Sequence, residues 1–245
     1  MNRLLNKTAV ITGGNSGIGL ATAREFIKEG ASVIITGRNK ATVDQAVAEL
    51  GASAKGVVAD LSRLDSIRQL AGEVTAITPR VDVLFINAGI AKFAPIEGVD
   101  EAFFDEQFDI NVKGAYFTIQ QLLPLMGEGG SIVLNTSINA HIGMPNASIY
   151  AATKAAVLTF AKNLSAELLP RKIRVNAVSP GPIVTPLHEK LGLPAEAAEG
   201  MKSLIPIGRF GTADEIARIV VFFASEDSSF VLGAELIADG GMATL

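Results

Sequence analysis

Short β-branched runs alternate with longer helical stretches along this whole chain, and few architectures accommodate that pattern. Thr8–Thr12 (TAVIT), Ser32–Thr36 (SVIIT), Ala54–Val58, Val81–Ile86 (VDVLFI), Ser131–Thr136 (SIVLNT), Arg174–Ser179 and Glu235–Ala238 read as strands. Between them, Gly17–Glu29, Lys40–Leu50, Leu64–Ile77, Tyr150–Leu168 and Thr212–Ala224 carry helical spacing, and Glu101–Met126 holds one or two helices. Several strand runs are continuously apolar, which a strand needs when helices cover both faces of its sheet. Strand–helix alternation of this kind implies right-handed βαβ units and an α/β fold with a doubly wound parallel sheet of about seven strands. No linker, fixed-period repeat or low-complexity segment interrupts it, so residues 1–245 are expected to form a single domain. Asn2–Leu5 reads as a loose terminus. Residues 186–205 break the alternation and read as a short helical insertion or a mobile lid segment over a substrate.

Composition excludes several functions. The 245 residues include 21 Lys and Arg against 25 Asp and Glu, with no basic block, so nucleic acid is not an expected partner. There is no cysteine, hence no disulfide or thiolate chemistry, and two histidines, His141 and His188, are a poor basis for a metal site. The start, Met1–Lys7, lacks the apolar core of a signal peptide, and the apolar run Ile219–Ala224 is too short to span a bilayer. A cytoplasmic protein that does not insert in a membrane is the expectation.

The first strand runs into Thr12-Gly13-Gly14-Asn15-Ser16-Gly17-Ile18-Gly19. A glycine-rich turn between a strand and a helix lets the backbone approach a diphosphate, and the helix N-terminus then offers N–H donors and a positive dipole end. A plain glycine turn has the same composition; the strand–loop–helix context favours a Rossmann-type dinucleotide site. A chain that holds NAD usually places an acid at the end of its second strand, for the ribose 2′-OH. Here that position reads Gly37-Arg38. A guanidinium with no acid beside it suits a 2′-phosphate, so NADP(H) is expected over NAD(H). Asp60, followed by Leu61 after strand three, is a candidate acceptor for the adenine amine, or else a cap for the next helix in competition with Ser62.

Tyr150-Ala151-Ala152-Thr153-Lys154 puts a phenol and an ammonium four residues apart, on one face of a helix. A tyrosine titrates near about 10, and a neighbouring ammonium favours the phenolate, which makes the pair an acid/base couple for carbonyl reduction or alcohol oxidation. An exposed Tyr and Lys on an amphipathic helix would show the same spacing. Ser137 follows strand five, at the carboxyl edge where ligands of open α/β sheets sit. Its hydroxyl can donate to a substrate oxygen as charge develops there, or simply cap the loop. Asn111 lies in an apolar helical stretch, where a buried amide needs partners; a kink in the helix and a held water are the expected consequences.

Taken together, TGGNSGIG at Thr12–Gly19, Asn87-Ala88-Gly89, Asn111, Ser137, Tyr150-x-x-x-Lys154 and Pro180-Gly181 followed by Thr185 resemble the short-chain dehydrogenase/reductase family from Lys7 to Leu245. The resemblance implies that Tyr150 exchanges the proton, Ser137 orients the carbonyl, Lys154 binds the nicotinamide ribose and lowers the tyrosine pKa, and Asn111 holds a water leading to Lys154. It implies that Asn87, Ala88 and Gly89 support the sheet beside the cofactor, and that Ile183 and Thr185 lie near the carboxamide. It also implies a homotetramer. Two departures stand out: Ile86 precedes Asn87 where the family often has a second Asn, and the glycine loop carries Asn15 and Ser16 where many NADP-using members have a basic residue. The phosphate preference therefore rests on Arg38.

Substrate is expected between the loop after Ser137 and residues 186–205, lined by Phe93, Ile138, Asn139, His141, Ile142, Met144, Leu187 and His188. Most are apolar and none clamps a charge, which points to a small, mostly uncharged carbonyl or alcohol. His141 reads as a partly exposed loop residue and Met144 as packing. The alternatives are a 3-oxoacyl carrier-protein reductase, for which Lys190 and Lys202 make a thin basic patch, a sugar or polyol dehydrogenase, and a non-catalytic dinucleotide sensor. A sensor has no need of the complete Asn111, Ser137, Tyr150 and Lys154 set.

Overall fold

The computed structural model describes residues 2–184, 199–200 and 202–245. Its strands are β1 (Thr8–Ile11), β2 (Ser32–Gly37), β3 (Ala54–Val58), β4 (Val81–Ile86), β5 (Met126–Asn135), β6 (Arg174–Pro180), β7 (Ile183–Val184), β8 (Gly211–Thr212) and β9 (Glu235–Ala238). The helices described are α1 (Gly17–Lys28), α2 (Lys40–Leu50), α3 (Leu64–Ile77), α4 (Glu101–Phe108), α5 (Gly114–Leu122), α6 (Ser148–Leu168) and α7 (Ala213–Ala224). Seven strands form one parallel sheet in the order β3-β2-β1-β4-β5-β6-β9. The chain reverses its winding between β1 and β4, and a crevice opens there at the carboxyl ends of the strands.

Register explains why the apolar runs are continuous. Ile34, Val10, Leu84, Ile132 and Val175 align across β2, β1, β4, β5 and β6. They face a core built with Ile67, Leu70 and Val74 of α3, Ile119 and Leu122 of α5, and Val157, Ala161 and Leu164 of α6. The alternate residues Ala9, Ile35, Val83, Phe85, Val133 and Val178 face the other core, with Phe26 of α1, Ala46 of α2 and Ile216, Val220 and Phe223 of α7. Strands β1, β2, β4, β5 and β6 thus bury both their odd and their even residues, and the period of two disappears from those runs.

Local differences from the sequence expectation have identifiable causes. The stretch 101–126 is α4, then a wider π turn at Asp109–Lys113, then α5, closed by a tight turn at Leu123–Leu125 that contains Pro124. Strand β5 starts at Met126 rather than Ser131, and its pairing with β4 slips between Val81 and Val83 to absorb the glycines Gly127, Gly129 and Gly130. The two-residue pair β7–β8 is too short to show a period. The terminus is not loose: Leu4 is fully buried, and Arg3 grips Glu29 through Nε at 3.0 Å and Nη2 at 2.6 Å. That anchor joins residues 26 positions apart, which no local pattern announces. Among the described residues no helix is long and apolar enough to cross a membrane.

Candidate active site

A cleft of about 880 Å³ opens at the carboxyl ends of the strands. It is lined by Gly13, Asn15, Ser16, Gly17 and Ile18 of the glycine loop, by Gly37, Arg38, Asp60 and Leu61, and by Asn87, Ala88 and Gly89. Ser137, Tyr150, Lys154, Pro180, Gly181 and Ile183 complete the set of expected residues in its wall. Two expected residues are not in that wall. Gly19 packs behind the loop, where a Cβ would lie 2.3 Å from the Gly13 carbonyl oxygen. Asn111 is 2 % exposed and acts from behind. Thr185 and most of the expected lid, 186–198, lie outside the described residues.

The loop is shaped by need. Gly13 has φ +63°, and a Cβ there would come within 3.1 Å of both the Ala88 Cα and Asn87 Nδ2. Gly17 opens α1 with φ +52°. Ser16, at the helix N-cap, makes no side-chain capping bond, and the first turn holds no acid, so the opening N–H groups are left for an anion. Thr12 ties the loop to β4: its hydroxyl accepts from Asn87 N at 2.8 Å and Ala88 N at 3.0 Å and donates to Phe85 O at 3.3 Å. Asn87 returns the tie, its Nδ2 donating to Thr12 O at 2.9 Å and Gly13 O at 3.3 Å. A bare backbone cradle, an uncapped helix start and the cleft volume fit a dinucleotide, since ligand sites commonly span roughly 300–1,000 Å³.

At the β2–β3 end of the cleft, Arg38 is exposed, with no hydrogen-bond or ion-pair partner among the described residues. Burial would raise the Asp60 carboxyl, but hydrogen bonds from Ser62 and the charges of Arg38 and Arg63 outweigh it and hold the pKa below its ordinary value. Ser62 donates to Asp60 Oδ1 through N at 3.0 Å and Oγ at 2.8 Å. Neither residue caps α3, whose N-cap is Arg63. Gly37 leaves room for Asn15, whose Oδ1 would sit 2.7 Å from a Cβ there.

At the other end Lys154, 6 % exposed, donates from Nζ to Asn135 O at 2.9 Å and stands 5.7 Å from the centroid of the Tyr150 ring. The half-buried Tyr150 meets Phe93 edge to face at 5.8 Å. Phenol and ammonium therefore share one helix face, as the spacing required. The expected lowering of the tyrosine pKa by lysine is not found. Burial pushes the Tyr150 phenol up, and the offset comes from the Ser137 hydroxyl. Lys154 is itself brought down to about 8 by burial. Asn111 sits in the π turn, which is the distortion expected of it. Its Oδ1 accepts from Ile90 N at 2.8 Å, and its Nδ2 donates to Ile90 O at 2.9 Å and Thr153 Oγ1 at 3.0 Å. It thereby clamps the chain after Gly89 against α6.

The described residues expected to surround substrate are not among those that line this cleft. None of Phe93, Ile138, Asn139, His141, Ile142 and Met144 lines the cleft, and Leu187 and His188 lie outside the described residues. His141 is tied by Nε2 to Glu235 at 2.6 Å, and Met144 takes a bond from Asn139 Nδ2 at 3.4 Å. Ile90, Ala91 and Lys92 do line the cleft, with Lys92 paired to Glu106. The sequence reading gave no role to Thr12 or to Asn135. Thr12 stands at the head of the glycine motif, a usable signal; Asn135 had none.

The family model described as Enoyl-(Acyl carrier protein) reductase matches residues 13–243. The 3-oxoacyl-[acyl-carrier-protein] reductase of Thermotoga maritima is 40% identical over 245 residues, covering 98% of this chain and 99% of that protein. L-rhamnose 1-dehydrogenase (NAD(P)(+)) of Azotobacter vinelandii is 36% identical, covering 98% and 97% respectively. A solved structure of a short chain dehydrogenase/reductase family protein superposes with TM-score 0.87 at 42% identity, covering 99% of this chain and 100% of that one.

Proposed function

The chain belongs to the short-chain dehydrogenase/reductase family, and on that premise we propose that it transfers a hydride between NADP(H) and a small, mostly uncharged carbonyl or alcohol. The observation that carries this reading is the convergence of Ser137, Tyr150 and Lys154 in the wall of one cleft with the glycine loop. Bound nicotinamide supplies the hydride in reduction and takes it up in oxidation.

The chain's own residues handle the proton. In reduction the carbonyl oxygen gains negative charge as its carbon gains hydride; Ser137 donates a hydrogen bond to that oxygen, and Tyr150 delivers its proton to it. A phenol whose pKa burial holds up is in its neutral, donating form at neutral pH. The phenolate left behind accepts from the Ser137 hydroxyl, whose bond offsets the burial, and regains a proton from solvent. In oxidation the same proton travels the other way. Lys154 also stands ready to bond the nicotinamide ribose, and Asn111 holds Gly89–Ile90 and Thr153 in register behind both.

Preference for NADP(H) is supported by Arg38, which has no hydrogen-bond or ion-pair partner among the described residues and stands where an acid would repel a 2′-phosphate. A second reading, reduction of 3-oxoacyl groups on a carrier protein, is favoured by the Thermotoga maritima relative. A cytoplasmic homotetramer, with residues 186–205 acting as a lid, completes the proposal on the strength of the resemblance. A panel of ketones, sugars, polyols and 3-oxoacyl thioesters, followed by nicotinamide absorbance with both cofactors, tests it. Tyr150→Phe should lower turnover by about 10²–10⁴-fold while cofactor still binds. Near-normal turnover in that variant would remove Tyr150 from the role.

A further inference from the structure

Three buried side-chain polar atoms have no partner among the described residues: Gln107 Nε2, Thr118 Oγ1 and Asn135 Oδ1. Of these three residues only Asn135 lines the cleft. Its amide orientation follows from its neighbours. Asn87 uses its Nδ2 on the carbonyls of Thr12 and Gly13, which leaves its Oδ1 to accept. Asn135 must therefore offer Nδ2 to Asn87, at 2.8 Å, and its own Oδ1 is the atom left over. The Asn135 carbonyl, meanwhile, holds Lys154 Nζ. One residue thus joins the glycine loop to the Tyr150–Lys154 pair and keeps an acceptor in reserve.

A buried acceptor left unbonded costs free energy on the scale of a lost hydrogen bond. Among the described residues none supplies the donor, and Asn135 lines the cleft, so a group bound there is the candidate donor. Resting on the cofactor reading above, we infer that Asn135 is a cofactor-binding residue, its Oδ1 accepting a hydrogen bond from an N–H or O–H group of the nicotinamide riboside half. The adenosine half lies at the far end, among Gly37, Arg38 and Asp60, and gains nothing from it.

The test is affinity rather than turnover. NADPH binding is measured by nicotinamide fluorescence, and binding of 2′,5′-ADP, which lacks the nicotinamide half, by calorimetry. Asn135→Leu keeps the side-chain size and removes the acceptor. It should weaken NADPH about five- to tenfold, the scale of one buried hydrogen bond, and leave 2′,5′-ADP within about twofold of wild type. Unchanged NADPH affinity overturns the inference, since Oδ1 then serves a structural water. Equal loss for both ligands also overturns it, because Asn135 would then act only through Asn87 and the glycine loop. If Asn135→Leu does not fold, Asn135→Ala is read by the same two affinities. Wild-type protein that binds neither NADPH nor NADH rejects the cofactor reading itself, an outcome distinct from both.

Discussion

Adding one methyl group at Gly19 and at Gly72 should move stability in opposite directions. A Cβ on Gly19 would lie 2.3 Å from the Gly13 carbonyl oxygen and 2.7 Å from Asn87 Nδ2. Neither atom can step aside cheaply: Gly13 is backbone held at φ +63°, and Asn87 is bonded to the carbonyls of Thr12 and Gly13. The start of α1 must instead move off the loop. Overpacking of this kind costs about 1–3 kcal/mol. For a domain of this size each kcal/mol shifts Tm by about 2–4 °C, so Gly19→Ala should melt roughly 2–12 °C lower. Gly72 lies exposed within α3, and a Cβ there meets nothing within 4 Å. Alanine gains about 0.5–1 kcal/mol over glycine inside a helix, so Gly72→Ala should melt roughly 1–4 °C higher. Thermal melts by circular dichroism at one protein concentration read both, and NADPH titration should show weakened binding for Gly19→Ala alone. A Gly19→Ala protein that melts with wild type or above it would show that close loop–helix packing does not set the cradle.

Other consequences are as direct. Arg38→Ala should raise the KM for NADPH about tenfold or more, the scale of a lost charge-assisted hydrogen bond, and leave that for NADH in place; equal effects on both cofactors would dismiss the phosphate clamp. Burial lowers the Lys154 pKa from 10.5 to about 8, so between those values the folded chain has shed a proton that the unfolded chain keeps. Stability from this group therefore rises with pH across that window, with the penalty fully present below it. Melts of wild type and Lys154→Met should diverge in favour of wild type as pH climbs through it without cofactor, and parallel curves would contradict the burial argument. Leu4 is fully buried, so Leu4→Ala should cost about 2–5 kcal/mol, and an unchanged urea midpoint would return residues 2–5 to the status of a loose end.

The strands and helices could be read along the chain because their signals are local. Lys40–Leu50, Ala54–Val58, Leu64–Ile77 and Val81–Ile86 have the bounds their periodicity implied. The glycine loop and Tyr150-x-x-x-Lys154 were equally visible, because a tight turn and a shared helix face are properties of spacing. Partners distant in sequence were not visible. Arg3 with Glu29, Asn87 with Asn135, and His141 with Glu235 meet only once the sheet has formed. The same holds for charge: residue type implied that an ammonium would bring the Tyr150 phenol down, but its proton affinity depends on how much water the fold removes, and burial pushes it up. Local geometry is written in neighbouring residues; desolvation and long-range hydrogen bonds belong to the folded volume, and they determine which atoms of this cleft remain free to bind.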